Sequence, residues 1–167
     1  MLDVEQLLEL AQELADPSGA GAPRQVVLRR AVSTAYYAAF HALCGHAAGT
    51  FVTGGLRKSR ALFYRSLEHG KSKDRCKRLG QNPLPGVERK FFAIPSFAQE
   101  LRSFANTFVL LQEMRHRSDY DPDYKIAKAE AQEAVDDARQ AMADLQSANP
   151  DQRNMFLAYV LFGLRAP

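Results

Sequence analysis

The stretch LRSFANTFVLLQEMRHRSDYDPDY, from Leu101 to Tyr124, holds the end of a helix and the turn that follows it. Apolar residues recur here at alternating spacings of four and three, which predicts one buried face of an α-helix; they are Phe97, Leu101, Phe104, Phe108 and Leu111. Arg115 comes four residues after Leu111, so the same face ends in a guanidinium. A cation at the end of a core face is either a side chain that reaches solvent or a functional residue. We therefore expect the functional part of the chain to lie near Arg115.

Hydrogen-bonding side chains are concentrated directly after Arg115; they are His116, Arg117, Ser118, Asp119 and Tyr120. Arg115 and Asp119 are four residues apart, so a helix brings them to one face and places Tyr120 beside them. We expect Arg115 to be partly buried at the mouth of a cleft, with Asp119 or Tyr120 within hydrogen-bonding distance. His116 lies about 100° around the helix from Arg115, so it need not share that cleft. The alternative interpretation is a purely structural network that joins two helices.

The hydrophobic pattern of the whole chain predicts an all-α protein. The 167 residues fit a single domain, residues 1–167, folded as an up-down helical bundle of four to six helices. The predicted helices cover residues 2–15, 24–48, 56–69, 96–120, 121–147 and 151–164, with a further short basic candidate at 71–79 and a surface loop at 81–95. Ser96 is the predicted N-cap of the helix 96–120, and Asp121 followed by Pro122 predicts the start of the next. His69 is expected in the last turn of its helix, where the terminus would favour the charged imidazole.

The second predicted helix carries two stripes of residues. Small side chains along it predict close contact with neighbouring helices; they are Ala31, Ala35, Ala38, Ala39 and Ala42. The other stripe is polar and aromatic, with Ser33, Tyr37, His41 and Cys44 three or four residues apart. Its members are best interpreted as core groups with satisfied hydrogen bonds. A catalytic role for His41 is the alternative.

Positive charge is concentrated in one segment of the chain. The formal net charge is +3, but residues 57–78 hold nine Lys or Arg against Glu68 and Asp74. This segment predicts binding to an anionic partner such as RNA or DNA. The candidate contacts are Arg57, Lys58, Lys71, Lys73 and Lys77. The alternative is an ordinary solvated surface.

Sequence motifs for cofactors and metals are absent. The chain has no glycine-rich phosphate loop, HExxH pair, EF-hand loop or GxSxG motif, so no cofactor is predicted. The four histidines, at positions 41, 46, 69 and 116, are too scattered to predict a metal site.

The expected location of the protein is the cytoplasm. Cys44 and Cys76 lack metal-type spacing and are expected to stay reduced. The first ten residues, MLDVEQLLEL, carry acids and no basic segment, unlike a signal peptide. The longest apolar run, residues 155–164, is far shorter than the roughly 20 residues that a membrane span needs, so no membrane partner is expected.

Two stretches of the chain together resemble the HEPN superfamily of bacterial and archaeal helical bundles. One is RRAVSTAYYAAFH, from Arg29 to His41, and the other is MRHRSDYD, from Met114 to Asp121. The segment FYRSLEHGK, residues 63–71, also looks like the intervening helix of such proteins. The resemblance covers roughly residues 26–145 of the chain.

The resemblance implies a helical bundle that forms a homodimer. In active members, an Arg and a His a few residues later form a metal-free RNA-cleaving site, with one copy from each subunit facing a shared cleft. Such proteins are often toxins paired with a nucleotidyltransferase-type antitoxin, or defence nucleases. Arg115 matches the motif Arg, whereas Tyr120 stands five residues later, where a His is found in active members. Tyrosine is a poor general base near neutral pH.

Two functions are therefore expected from the sequence. The first is a metal-independent RNA-cleaving toxin or defence effector, with Arg115, His116, Asp119 and Tyr120 as the candidate catalytic residues. The alternative is a non-catalytic HEPN module that binds a partner protein, a nucleotide or a nucleic acid.

Overall fold

The computed structural model describes residues 3–17, 24–52, 54 and 57–164. Eight helices form in these residues: α1 (Val4–Ala15), α2 (Gln25–Phe51), α3 (Arg57–Ser66), α4 (His69–Leu79), α5 (Gly86–Phe92), α6 (Gln99–Tyr120), α7 (Lys128–Ser147) and α8 (Pro150–Phe162). No strand occurs in this part of the chain, which confirms the all-α prediction, although the helices outnumber the four to six expected. The predicted helix starts at residues 2 and 56 lie outside the described residues. None of the described helices is both long and apolar enough to cross a membrane.

The larger number of helices comes from the region between α2 and α6. Glu68 has an extended backbone and serves as the N-cap of α4, so His69 begins that helix instead of ending α3. Leu67, beside this break, is buried and fixes it against the core. A short helix, α5, lies within residues 81–95, where the sequence predicted only a loop.

The core is built around α2, which packs against α1, α6 and α7. Its small-residue stripe is buried, as predicted, because the neighbouring helices contact it closely; these residues are Ala31, Ala35, Ala38, Ala39 and Ala42. The apolar face predicted for the helix 96–120 is also buried, with each member at most 1% exposed; these residues are Phe97, just before α6, and Leu101, Phe104, Phe108 and Leu111 within it. Burial of this face against α2 brings the following turn of α6, with Arg115, beside the polar residues of α2.

The segment after α6 is not helical over residues 121–127 and contains a turn at 122–123, so α7 begins only at Lys128. The predicted helix start at Asp121 is therefore wrong. Gln25 of α2 exchanges two hydrogen bonds of 2.9 Å with the backbone N–H and C=O of Ile126, and the Ile126 side chain is buried. Arg29 of α2 also donates to the carbonyl of Pro122 at 3.1 Å. In these contacts, side chains of α2 bond to backbone N–H and C=O groups that would otherwise pair with each other within a helix.

The start of α6 also differs from the prediction. Gln99 is its first residue and Ala98 its N-cap, with no side-chain capping hydrogen bond. The Ala98 N–H donates instead to Gln152 Oε1 of α8, at 2.8 Å. A tertiary hydrogen bond thus replaces the local cap predicted at Ser96.

Candidate functional site

Arg115 lies near the end of α6 and faces α2. Its Nη2 donates a hydrogen bond to Tyr37 Oη at 2.8 Å, and its Nε lies 2.7 Å from Asp119 Oδ2. The Arg115 side chain is 19% exposed. The predicted position of Arg115, partly buried and in contact with Asp119, is therefore confirmed.

Asp119 and two aromatic rings hold the guanidinium in place. Asp119 Oδ1 accepts a hydrogen bond of 2.7 Å from Ser33, so this carboxylate joins α6 to α2. The guanidinium carbon lies 5.5 Å from the ring centroids of both Tyr37 and Tyr120. The Nε–H is buried and forms an ion pair with Asp119, but it is not directed as a hydrogen bond. Nη1 makes no hydrogen bond in the described residues, so it is the nitrogen left to meet a ligand.

The electrostatics of the site keep Arg115 charged. Burial lowers the pKa of Arg115, but the hydrogen bond to Tyr37 and the charge of Asp119 raise it by more, so the net shift is upward. A guanidinium in this setting is a permanent cation in a half-buried position, where charge interactions are stronger than in water.

Three of the four members of the polar stripe of α2 form side-chain hydrogen bonds, as interpreted from the sequence. Ser33 and Tyr37 bond to the Arg115 network, and His41 Nδ1 shares a short hydrogen bond with Tyr64 Oη of α3. Burial lowers the pKa of His41. The sequence spacing placed these residues on one face of α2, but it contained no signal that Ser33 and Tyr37 would meet Arg115.

His69 is a neighbour of this network that the sequence did not single out for function. Its Nδ1 lies 2.7 Å from Tyr36 Oη, and its ring stacks on Phe40 with centroids 3.9 Å apart. Burial lowers the pKa of His69, and the positive charge of Arg115 lowers it further. The expectation of a charged His69 at a helix C-terminus is wrong, because the residue begins α4 and is half-buried beside a cation.

The lowered pKa of His69 predicts a loss of stability in mild acid. The unfolded chain takes up a proton at a higher pH than the folded protein, so the free energy of unfolding falls as the pH drops below about 6.5. The slope for one such proton is at most about 1.4 kcal/mol per pH unit. Urea unfolding of wild type and His69→Gln between about pH 7.5 and 5.5 measures this slope, because that range brackets the ordinary pKa of histidine. Equal slopes for the two proteins would show that His69 does not contribute.

A cleft of about 520 Å³ lies between α4 and α6. Its cationic and titratable lining comes from Lys73, Arg115, His116 and Arg117, and its acids are Asp74 and Glu113. Glu113 pairs with Lys73 at 3.1 Å. The Oε1 of Gln112, which also lines the cleft, is buried without a hydrogen-bond partner in the described residues. This combination of positive groups and an unsatisfied buried polar atom is typical of a site for a polar ligand.

His116 shares this cleft with Arg115, although the helix geometry did not require it. The two residues meet through Tyr120, whose ring centroid lies 5.0 Å from that of His116 and 5.5 Å from the Arg115 guanidinium. Arg115, His116 and Arg117 all line the cleft, so it extends around α6 by more than the 100° that separates consecutive residues. All four candidate catalytic residues therefore lie together at the end of α6.

The predicted basic segment does not line this cleft as a unit. Of its five candidate contacts, Lys73 lines the cleft, whereas Lys58, Lys71 and Lys77 are exposed elsewhere. Lys71 forms an ion pair with Glu68 at 2.6 Å. Arg57 begins α3, and its side chain lies outside the described part of the chain.

Comparison with protein-family models, with curated proteins and with solved structures finds no match for this chain. Among the residues that the structure describes, no three His, Cys, Asp or Glu side chains come together as metal ligands do. Cys44 and Cys76 are both buried and free.

Proposed function

We propose that this chain is a HEPN-type protein that acts as a homodimer and cleaves RNA without a metal ion, at the cleft between α4 and α6. The observation that carries the proposal is the pairing of Arg115 and His116 in one cleft. Arg115 is a fixed, half-buried cation with one nitrogen open to a ligand. The resemblance of residues 29–41 and 114–121 to the HEPN superfamily supports RNA as the ligand.

The residues of the cleft suit the cleavage of a phosphodiester. Arg115 binds a phosphate oxygen and stabilises the negative charge that develops on the phosphoryl group. His116 accepts the proton of the ribose 2′-OH, because an imidazole is the side chain best suited to proton transfer near neutral pH. The 2′ oxygen forms a bond to phosphorus as the bond from phosphorus to the 5′ oxygen breaks, and the proton held by His116 is returned through solvent to the leaving 5′ oxygen. The products are a 2′,3′-cyclic phosphate and a free 5′-OH. Asp119 orients Arg115 through their ion pair, and the exposed ring of Tyr120 offers a surface on which a base can stack.

The second candidate function is RNA binding without cleavage. It is favoured by the contact between Asp119 and Arg115, because a guanidinium already paired with a carboxylate has less charge to offer a transition state. A partner protein or a nucleotide is the further alternative for a non-catalytic module.

Incubation of the purified protein with tRNA and mRNA in EDTA distinguishes these functions. Wild type is expected to cut RNA, and His116→Ala is expected to bind RNA without cutting it. Intact RNA with wild type, together with measurable RNA binding, would favour the non-catalytic function. Neither cleavage nor binding would refute both.

A role as a toxin or defence effector follows from the same proposal. Expression is expected to arrest growth, and co-expression with a nucleotidyltransferase-type antitoxin is expected to relieve the arrest. A pull-down that returns one stoichiometric protein partner while RNA stays uncut would favour the partner-binding module.

Lys73 is predicted to strengthen RNA binding at this cleft. Replacing Lys73 with Gln removes one cation from the lining, so the slope of log affinity against log salt should fall by about 0.7 for a single-stranded RNA. Lys90→Gln is the matched control, since Lys90 is exposed on α5 and does not line the cleft. Fluorescence anisotropy at several salt concentrations measures both slopes. Equal slopes for the two variants would remove Lys73 from the site.

The homodimer is predicted to have twice the chain mass of 18.6 kDa. Two aromatic side chains away from the cleft, Phe91 and Phe162, are each 64% exposed, and a second copy would remove such surfaces from water. Light scattering at micromolar protein concentration measures the mass. A mass of 18.6 kDa at every concentration would refute the dimer.

A further inference from the structure

A second cleft lies across the end of α6 from the first, and we propose that it binds a second phosphate of the RNA strand held at Arg115. This inference rests on the proposed function. The cleft measures about 560 Å³ and is formed by the start of α2, the end of α6 and the non-helical segment that follows α6.

Three cations line this second cleft, namely Arg29, Arg30 and Lys125. Arg29 donates to the carbonyls of Pro122 and Tyr124, so it is fixed as part of the wall. Arg30 and Lys125 are exposed and form no ion pair within the described residues. Their charges therefore remain available to an anionic ligand.

The negative charge of the lining is already engaged. Asp119 is the single carboxylate among the lining residues. One of its oxygens accepts the hydrogen bond from Ser33, and the other pairs with Arg115. The lining of the second cleft therefore has a net positive charge, and its one carboxylate, Asp119, is paired with Arg115 of the first cleft.

Ser118 gives an independent indication of a ligand. It lines the cleft and is 5% exposed, yet its hydroxyl has no hydrogen-bond partner in the described residues. Buried hydroxyl groups are nearly always paired, so an unpaired one calls for an explanation. A hydroxyl that has no partner within the protein is free to donate to an oxygen atom of a ligand in the cleft that Ser118 lines.

The two clefts adjoin each other at the end of α6, where lining residues of one contact lining residues of the other. Arg115 lines the first and its ion-pair partner Asp119 lines the second. Arg117 of the first cleft lies over the ring of Tyr124 of the second, 4.1 Å from its centroid. A ligand that spans both sites carries at least two phosphates in sequence, as an RNA strand does and a nucleoside monophosphate does not.

The test uses a 2′-O-methyl RNA of about eight nucleotides, which binds but lacks the hydroxyl needed for cleavage. The double variant Arg30→Gln/Lys125→Gln is expected to reduce the salt slope of binding by about 0.7 per lost phosphate contact. Arg89→Gln/Lys90→Gln is the matched control, because it removes two exposed cations of α5 that line neither cleft. An unchanged slope in Arg30→Gln/Lys125→Gln would overturn the inference.

Ser118→Ala separates binding from folding. Loss of a hydroxyl that bonds a phosphate should weaken RNA binding about tenfold. Removal of an unpaired buried hydroxyl should leave the melting temperature unchanged or raise it. Weakened binding with a preserved melting temperature supports the inference, and unchanged binding opposes it.

Failure of the proposed function and failure of the second phosphate subsite give different results. If Arg115→Ala weakens binding while Arg30→Gln/Lys125→Gln matches wild type, the second subsite is wrong and the proposed function stands. If wild type binds no RNA, the proposed function is refuted. The second cleft is then tested by itself, by titrating inorganic phosphate and monitoring the amide NMR shifts. Shifts at Ser118 and Lys125 that vanish in Arg30→Gln/Lys125→Gln would support it; no shift would overturn it.

Discussion

Replacing Arg115 with lysine is expected to lower the rate of RNA cleavage by roughly 100-fold or more, although the charge is kept. The guanidinium bonds to Tyr37 through Nη2, pairs with Asp119 through Nε, and has Nη1 left for a phosphate. An ammonium group is a single point charge, so it cannot hold both partners and the ligand in one plane. The predicted loss therefore comes from geometry and not from charge.

The matched control for this prediction is Arg89→Lys. Arg89 lies on α5, is exposed and lines neither of the two clefts. This variant is expected to cleave RNA at close to the wild-type rate. Single-turnover cleavage of a defined RNA, with circular dichroism to confirm folding, compares the three proteins. Wild-type activity in Arg115→Lys would mean that the guanidinium is not required.

Truncation of Glu88 is expected to cause a large loss of stability. Glu88 of α5 is 1% exposed and accepts hydrogen bonds from Arg78 of α4, at 2.5 and 2.9 Å, and from Tyr159 of α8. Removing one partner of a buried ion pair costs about 3 kcal/mol when the other partner keeps part of its solvation. Arg78 is 46% exposed, so Glu88→Ala should lower the free energy of unfolding by about this amount.

Chemical denaturation measures this effect, with Glu9→Ala as the control. Glu9 is an exposed acid of α1, so its removal should change the free energy of unfolding by less than about 0.5 kcal/mol. Similar effects of the two variants would show that the Glu88 network does not hold α4, α5 and α8 together.

The Glu88 network also predicts a pH dependence. Burial raises the pKa of Glu88, but the hydrogen bonds from Arg78 and Tyr159 lower it by more, so the net pKa lies below its ordinary value. A carboxylate with a lowered folded-state pKa stabilises the protein above the unfolded pKa, and this contribution is lost as the pH falls through the folded value. The difference in stability between wild type and Glu88→Gln should therefore be constant near neutral pH and shrink below about pH 4. A difference that persists in acid would contradict this account.

The helical class and the pairing of Arg115 with Asp119 were predictable from the sequence alone. Both depend on spacings of three and four residues, which the α-helix converts directly into shared faces. The burial of the α6 face and of the alanine stripe of α2 followed from the same periodicity.

The tertiary structure alone decided what surrounds Arg115. Tyr37 and Ser33 are 78 and 86 residues away along the chain from the groups they bond, and no local pattern links them. Residues 121–127 are not helical because Gln25 and Arg29 of α2 bind their backbone. The Asp121 side chain accepts a hydrogen bond from the Asp123 N–H within a turn and does not start a helix. Such contacts depend on how distant helices pack, so local periodicity cannot specify them.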